Sequence, residues 1–168
     1  MTGATAAPDL VYGWGSTGSF IEVNRPKIRA VDDVGDCHAI EQTVRAYGWA
    51  IDENRFDLLA DLLSPQVEFS GTIAGVGPLE TVAGRSELVS WLSAYMTTRT
   101  DQLRHSMGNV LLTDLSQGRA TALAYLTLHG TKPEGTLPLA TAFYRFTLSR
   151  NEDAWFVDSV FAGFDKSF

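Results

Sequence analysis

The chain has 168 residues, 45% hydrophobic and 20% charged, with one cysteine and a formal charge of −7. A chain of this length holds one domain with a sizeable core. Its acidity, with no Lys/Arg cluster, opposes phosphate backbones and anionic membrane surfaces, so neither nucleic acid nor a membrane is an expected partner. No apolar run reaches the roughly 20 residues that span a bilayer.

Residues 1–35 read as an arm apart from the body. Gly3, Gly13, Gly15 and Gly18 with Ser16 and Ser19 have loop character. Leu10, Val11, Tyr12, Trp14, Phe20 and Ile21 are too apolar for a free linker, so the arm is expected to pack on the body or on a neighbouring subunit. Met1 to Asp9 has no basic start followed by an apolar stretch, so no secretory leader is expected. Cys37 cannot form an internal disulfide, and a cytoplasmic setting follows as the expectation.

Residues 36–168 are expected to form the folded domain. Asp36 is a suitable N-cap for a first helix whose face is marked by Ile40, Val44, Gly48 and Ile51 and which closes at Asp52. A turn at Asp52-Glu53-Asn54 leads to a short helix over Phe56 to Leu63, stopped by Ser64-Pro65. Val67 to Gly71 alternates as a strand. Thr72 to Ala83 is glycine-rich with room for a hairpin, and a third helix runs from Leu88 to Met96. Four strands follow, near residues 102–113, 119–129, 140–149 and 154–164, separated by turn signals at 114–118, 132–135 and 151–153. Helices first and an antiparallel sheet after is the α+β pattern, and a long twisted sheet wrapped by three helices makes a cone with a mouth suited to a small molecule.

His105 and Asp52, 53 residues apart, are the leading chemical candidates. A carboxylate in reach of an imidazole fixes its tautomer and raises its basicity, the minimal equipment for taking a proton at neutral pH. The bland alternatives are a strand-edge histidine in solvent and a solvated turn aspartate. Alternation places Met107 and Asn109 on the face of His105. Tyr47 is either core or a hydroxyl donor, and Trp49 lies three residues before Asp52. Three scattered histidines without His-x-x-x-His spacing do not make a metal site, and no glycine-rich phosphate loop indicates a nucleotide. Neither metal nor cofactor is expected.

The order of elements, together with Tyr47-Gly48-Trp49-Ala50-Ile51-Asp52-Glu53-Asn54-Arg55-Phe56-Asp57-Leu58-Leu59, Arg104-His105-Ser106-Met107-Gly108-Asn109-Val110 and the hairpin Tyr144–Leu148/Ala154–Val157, resembles the SnoaL-like branch of the nuclear transport factor 2-like superfamily. The resemblance covers about residues 37–164. It is similar at His105 and Asp52 to scytalone dehydratase and hexachlorocyclohexane dehydrochlorinase, which implies His105 as general base and Asp52 as its orienting partner; bile-acid dehydratases of the same fold are implied relatives too. It departs from scytalone dehydratase at Ile51, where that family has a tyrosine, and at Leu126. The implied function is a cofactor-independent, dehydratase-type lyase acting on a hydrophobic cyclic hydroxy or carbonyl compound. A polyketide or terpenoid cyclase or isomerase with the same dyad, and a non-catalytic ligand-binding module, are the alternatives. Tyr47, Trp49, Met107, Asn109 and Tyr144 are the expected pocket residues. A homodimer or homotrimer is implied, for which Phe143, Phe146, Phe156 and Phe161 offer apolar surface on both faces of the final hairpin, enough for core plus interface.

Overall fold

The computed structural model describes residues 31–74 and 76–165. The expected arm lies outside them except for its last five residues, Val31–Gly35, which already belong to the first helix. Among the described residues three helices, α1 (Val31–Asp52), α2 (Phe56–Leu62) and α3 (Arg85–Thr97), accompany seven strands. These are β1 (Leu63–Ile73), β2 (Gly77–Pro78), β3 (Val82–Ala83), β4 (Gln102–Ser116), β5 (Arg119–Lys132), β6 (Gly135–Asn151) and β7 (Ala154–Phe164). The class is α+β. One mixed sheet has the order β2-β1-β7-β6-β5-β4, with β3 paired to β1. All pairings are antiparallel except β1 with β7. The chain's last strand therefore sits inside the sheet, between β1 and β6.

The helix starts at Val31 and not near Asp36, whose carboxylate is engaged elsewhere. It accepts hydrogen bonds from Trp155 Nε1 at 3.0 Å and from Arg150 at 3.1 Å, pinning α1 to the β6–β7 hairpin. Ile40, Val44, Tyr47 and Ile51 follow at helical spacing and are all buried, the apolar stripe that packs α1 onto the sheet. Alternation in β5 and β6 buries Ala122, Ala124, Leu126 and Leu128 opposite Ala140, Ala142, Tyr144, Phe146 and Leu148. Phe146, fully buried, lies at the centre of this core. Burying a side chain of that size contributes about 1.5–3 kcal/mol. Phe143, Phe156 and Phe161 are half-buried on the opposite side of their strands.

α1 ends in a Schellman turn. Arg55 N–H donates to Ala50 O at 2.8 Å and Asn54 N–H to Ile51 O at 3.1 Å, with Asn54 in the left-handed region at φ 54°. Asparagine tolerates that conformation better than other non-glycine residues. The turn frees the carbonyl of Asp52 from the helix ladder and aims the end of α1 at the start of β4.

The entry into β4 is fixed by Arg99, whose guanidinium grips Asp101 at 2.8 and 2.6 Å. That hydrogen-bonded ion pair holds the Asp101 carboxyl below the usual aspartate range. A depressed folded-state value means stability present above the unfolded value of about 3.9 and lost as pH falls through the folded one. Asp101→Asn is expected to lower the urea midpoint at pH 7, with the difference from wild type closing below about pH 4. A difference that stays constant down to pH 2 would show that the ion pair contributes nothing.

Candidate functional site

Two segments distant in sequence meet where the C-terminus of α1 touches β4. Asp52 Oδ1 lies 2.5 Å from His105 Nδ1, and Asp52 Oδ2 accepts the backbone N–H of His105 at 2.6 Å. Gln102 Nε2 donates to the freed Asp52 carbonyl at 2.9 Å, and Arg104 pairs with Glu53 at 3.0 Å. The last turn of a helix disfavours negative charge. Asp52 and Glu53 sit there because β4 supplies a donor for each. The side chains of Asp52 and His105 are only 6% and 10% exposed.

The pairing decides the tautomer. An ionised carboxylate only accepts, so the proton between the two groups resides on Nδ1 and Nε2 carries the lone pair. His105 Nε2 takes no hydrogen bond from the described residues. It is also not sealed off, since Arg85 Nε is the single buried, unpartnered side-chain nitrogen or oxygen among them. The free nitrogen thus opens on accessible space. A basic nitrogen held in orientation by a buried acid can take and return a proton.

Gly48 makes the meeting possible. A Cβ there would stand 3.0 Å from His105 Cβ and 3.2 Å from Met107 Cγ. Only a residue without a side chain lets the helix come this close to the strand, one turn before Asp52. Helical spacing places Gly48 on the apolar face without revealing this role, although a glycine inside a helix costs roughly 1 kcal/mol against alanine and so flags a packing reason. Gln102 carries no sequence signal at all.

The other expected pocket residues divide. Met107 is half-buried against the core, and Tyr47 and Tyr144 are buried within it. Trp49 is 52% exposed, on the opposite side of α1 from the apolar stripe, and does not join the dyad. Asn109 does not share the face of His105. It adopts φ 50° at a bulge, where the β4–β5 register shifts between Gly108 and Leu111, and it is exposed. The extra residue reverses the alternation, so Leu103, His105 and Met107 face inward before it and Val110 and Leu112 after it. Strict period-two counting cannot register such a shift, though Gly108-Asn109 is the dipeptide type that permits it.

Among the described residues no three His, Cys, Asp or Glu side chains cluster as metal ligands, and no helix is long and apolar enough to cross a membrane.

Residues 32–160 match the SnoaL-like domain. The chain belongs to the SnoaL-like family. No curated protein matches it in sequence. Solved structures place this SnoaL-like chain in the nuclear transport factor 2-like fold. One is an NTF2-like protein with a cystatin-like fold from Novosphingobium aromaticivorans, at 16% identity and TM-score 0.68, covering 79% of this chain and 83% of its own. A second is Aln2 from a Streptomyces species, at 19% identity and TM-score 0.69, covering 84% and 95%. A third, from Catenulispora acidiphila and in complex with S-DNPA, has 21% identity and TM-score 0.67, covering 79% and 95%. At these identities the likeness is one of fold.

Proposed function

We propose that this SnoaL-like protein is a cofactor-independent general-base enzyme, a lyase of the dehydratase type acting on a hydrophobic cyclic hydroxy or carbonyl compound. The observation that carries the reading is the buried Asp52–His105 pair with Nε2 left free and open. His105 Nε2 removes the acidic C–H proton, and the bond's electron pair forms the new double bond as the hydroxyl group departs. The proton, returned to the departing oxygen, completes a molecule of water. Asp52 holds the ring and balances the imidazolium between the two transfers. The same dyad serves an isomerase if the proton returns to another carbon, or a cyclase if the carbon that lost it attacks a carbonyl carbon of the same molecule, whose oxygen then takes the proton. A small molecule bound by the Catenulispora structure of this fold supports a ligand in the cone.

The reading is tested by proton abstraction alone, which all the catalytic variants share. The protein in D₂O with 2-tetralone is expected to speed deuterium uptake at the carbon beside the carbonyl, followed by NMR, and His105→Gln is expected to abolish that gain. Uptake at the buffer rate with wild-type protein would favour the binding-module reading.

A further inference from the structure

β4 is a terminal strand of the sheet, and among the described residues it pairs with β5 alone. A terminal strand offers its backbone N–H and C=O groups to whatever lies beside it. At the start of β4, side chains take them. The N–H of His105 goes to Asp52 Oδ2 at 2.6 Å. The carbonyl of Leu103 accepts Gln102 Nε2 and Arg104 Nη1, each at 3.0 Å. The end of α1 therefore stands where a neighbouring strand would stand.

One amide ties the two elements together by their backbones. Gln102 Nε2 donates to the Leu103 carbonyl and also, at 2.9 Å, to the carbonyl of Asp52. A glutamine amide has two N–H groups, so each carbonyl receives its own. Without them this corner is crowded with acceptors. Two carbonyl oxygens and the Asp52 carboxylate meet at a helix end where the dipole is negative. The second carboxylate there, Glu53, is already paired with Arg104 at 3.0 Å. His105 engages the carboxylate of Asp52, and Gln102 engages its backbone. A single methylene separates that backbone from the carboxylate, so a shift of the one moves the other.

We propose that Gln102 is a positioning residue of the dyad. Its amide seats Asp52 against β4 and so sets the approach of the carboxylate to His105 Nδ1. Its hydrogen bonds go to backbone carbonyls and not to the imidazole, and its effect on rate rests on the general-base reading above. When the donors are lost, the two carbonyls move apart and the end of α1 lifts. The carboxylate then leaves Nδ1, and the ring is released to the tautomer with its proton on Nε2. The lone pair that serves as base is gone in that form. A misplacement of about 1 Å is enough to cost up to roughly 100-fold in rate.

The test uses the full chain with ¹⁵N-labelled histidine and follows the His105 Nδ1 proton, which a short hydrogen bond to a carboxylate moves far downfield in the NMR spectrum. His105→Gln identifies the signal by removing it. Gln102→Glu keeps the length of the side chain and replaces both donors with acceptors. It is expected to move the proton upfield and to hasten its exchange with water. It is also expected to lower kcat for deuterium uptake by 2-tetralone about 10–100-fold with KM unchanged. Gln102→Lys, which returns a donor to the two carbonyls, is expected to keep the wild-type signal and most of the rate. Readings are taken where thermal unfolding shows each variant folded. An unmoved signal in Gln102→Glu, or a signal in Gln102→Lys displaced as far as in Gln102→Glu, would overturn the positioning role and leave the general base standing. Absence of the downfield proton from wild type would remove the contact itself and overturn the proposal. A signal displaced in Gln102→Glu and kept in Gln102→Lys, with no deuterium uptake by wild type, would refute the general base and uphold the seating of Asp52.

Discussion

His105→Gln is expected to lower turnover by about 10²–10⁴-fold, the usual worth of a positioned general base. Glutamine has no basic nitrogen to offer where Nε2 stands. Asp52→Asn is expected to cost a comparable factor for a different reason. The asparagine carbonyl can still accept the His105 backbone N–H, so the junction of α1 and β4 holds. Its amide then presents N–H groups to Nδ1, where the carboxylate now sits 2.5 Å away. The ring must answer as acceptor at Nδ1, which moves its own proton to Nε2. The free nitrogen becomes a donor and loses its capacity as base. Because the two side chains act as one unit, the double variant is expected to fall no further than the worse single variant. Additive losses, with the double variant at the product of the singles, would show two independent roles and dismantle the dyad. Asp52→Ala separates stability from chemistry. It removes the acceptor for a buried N–H, which costs about 1–3 kcal/mol, and should show as a lower urea midpoint that Asp52→Asn does not share.

Gly48→Val is expected to destabilise the fold by about 1–3 kcal/mol, the usual cost of overpacking a filled interior. Even the first added carbon meets His105 Cβ at 3.0 Å and Met107 Cγ at 3.2 Å. The two further methyl groups enlarge that clash, and the better helix propensity of valine over glycine offsets only part of it. Relief comes by pushing α1 off β4, which draws Asp52 away from His105. Loss of stability and loss of turnover are thus expected together, read by thermal unfolding and by deuterium uptake at a temperature where the variant is folded. A Gly48→Val protein as stable and active as wild type would mean that α1 and β4 do not lie this close in solution.

The fold was largely legible because its cues are local and repeated. Ile40, Val44, Tyr47 and Ile51 mark α1 by spacing, Ser64-Pro65 stops α2 after Leu62, and the turn signals at 114–118 and 151–153 bound the long strands. The sheet's extra reach was not legible. β6 runs on to Gly135, because Thr136 and Leu137 complete a ladder with Thr131 and Gly130 that only pairing reveals. Of the candidate site, the residue types and order raised His105 and Asp52, and the Schellman turn at Asn54 that aims one at the other has a local signature. Their approach depends on three-dimensional facts: the missing side chain at Gly48 and the amide of Gln102. Trp49 was misplaced because proximity in sequence to Asp52 says nothing about which side of the helix a residue takes.

The parallel pairing of β1 with β7 has a consequence for biosynthesis. During translation β1 is made well before its long-term neighbour β7, with α3 and β4–β6 between them. Until Ala154–Phe164 has emerged, β1 and the β4–β6 meander are two fragments with bare edges, each short of the strand that joins them. Such a nascent chain cannot close its core stepwise, and the sequence separation of that last pairing makes closure slow. Until β7 has emerged, those edges stay open to wrong pairing.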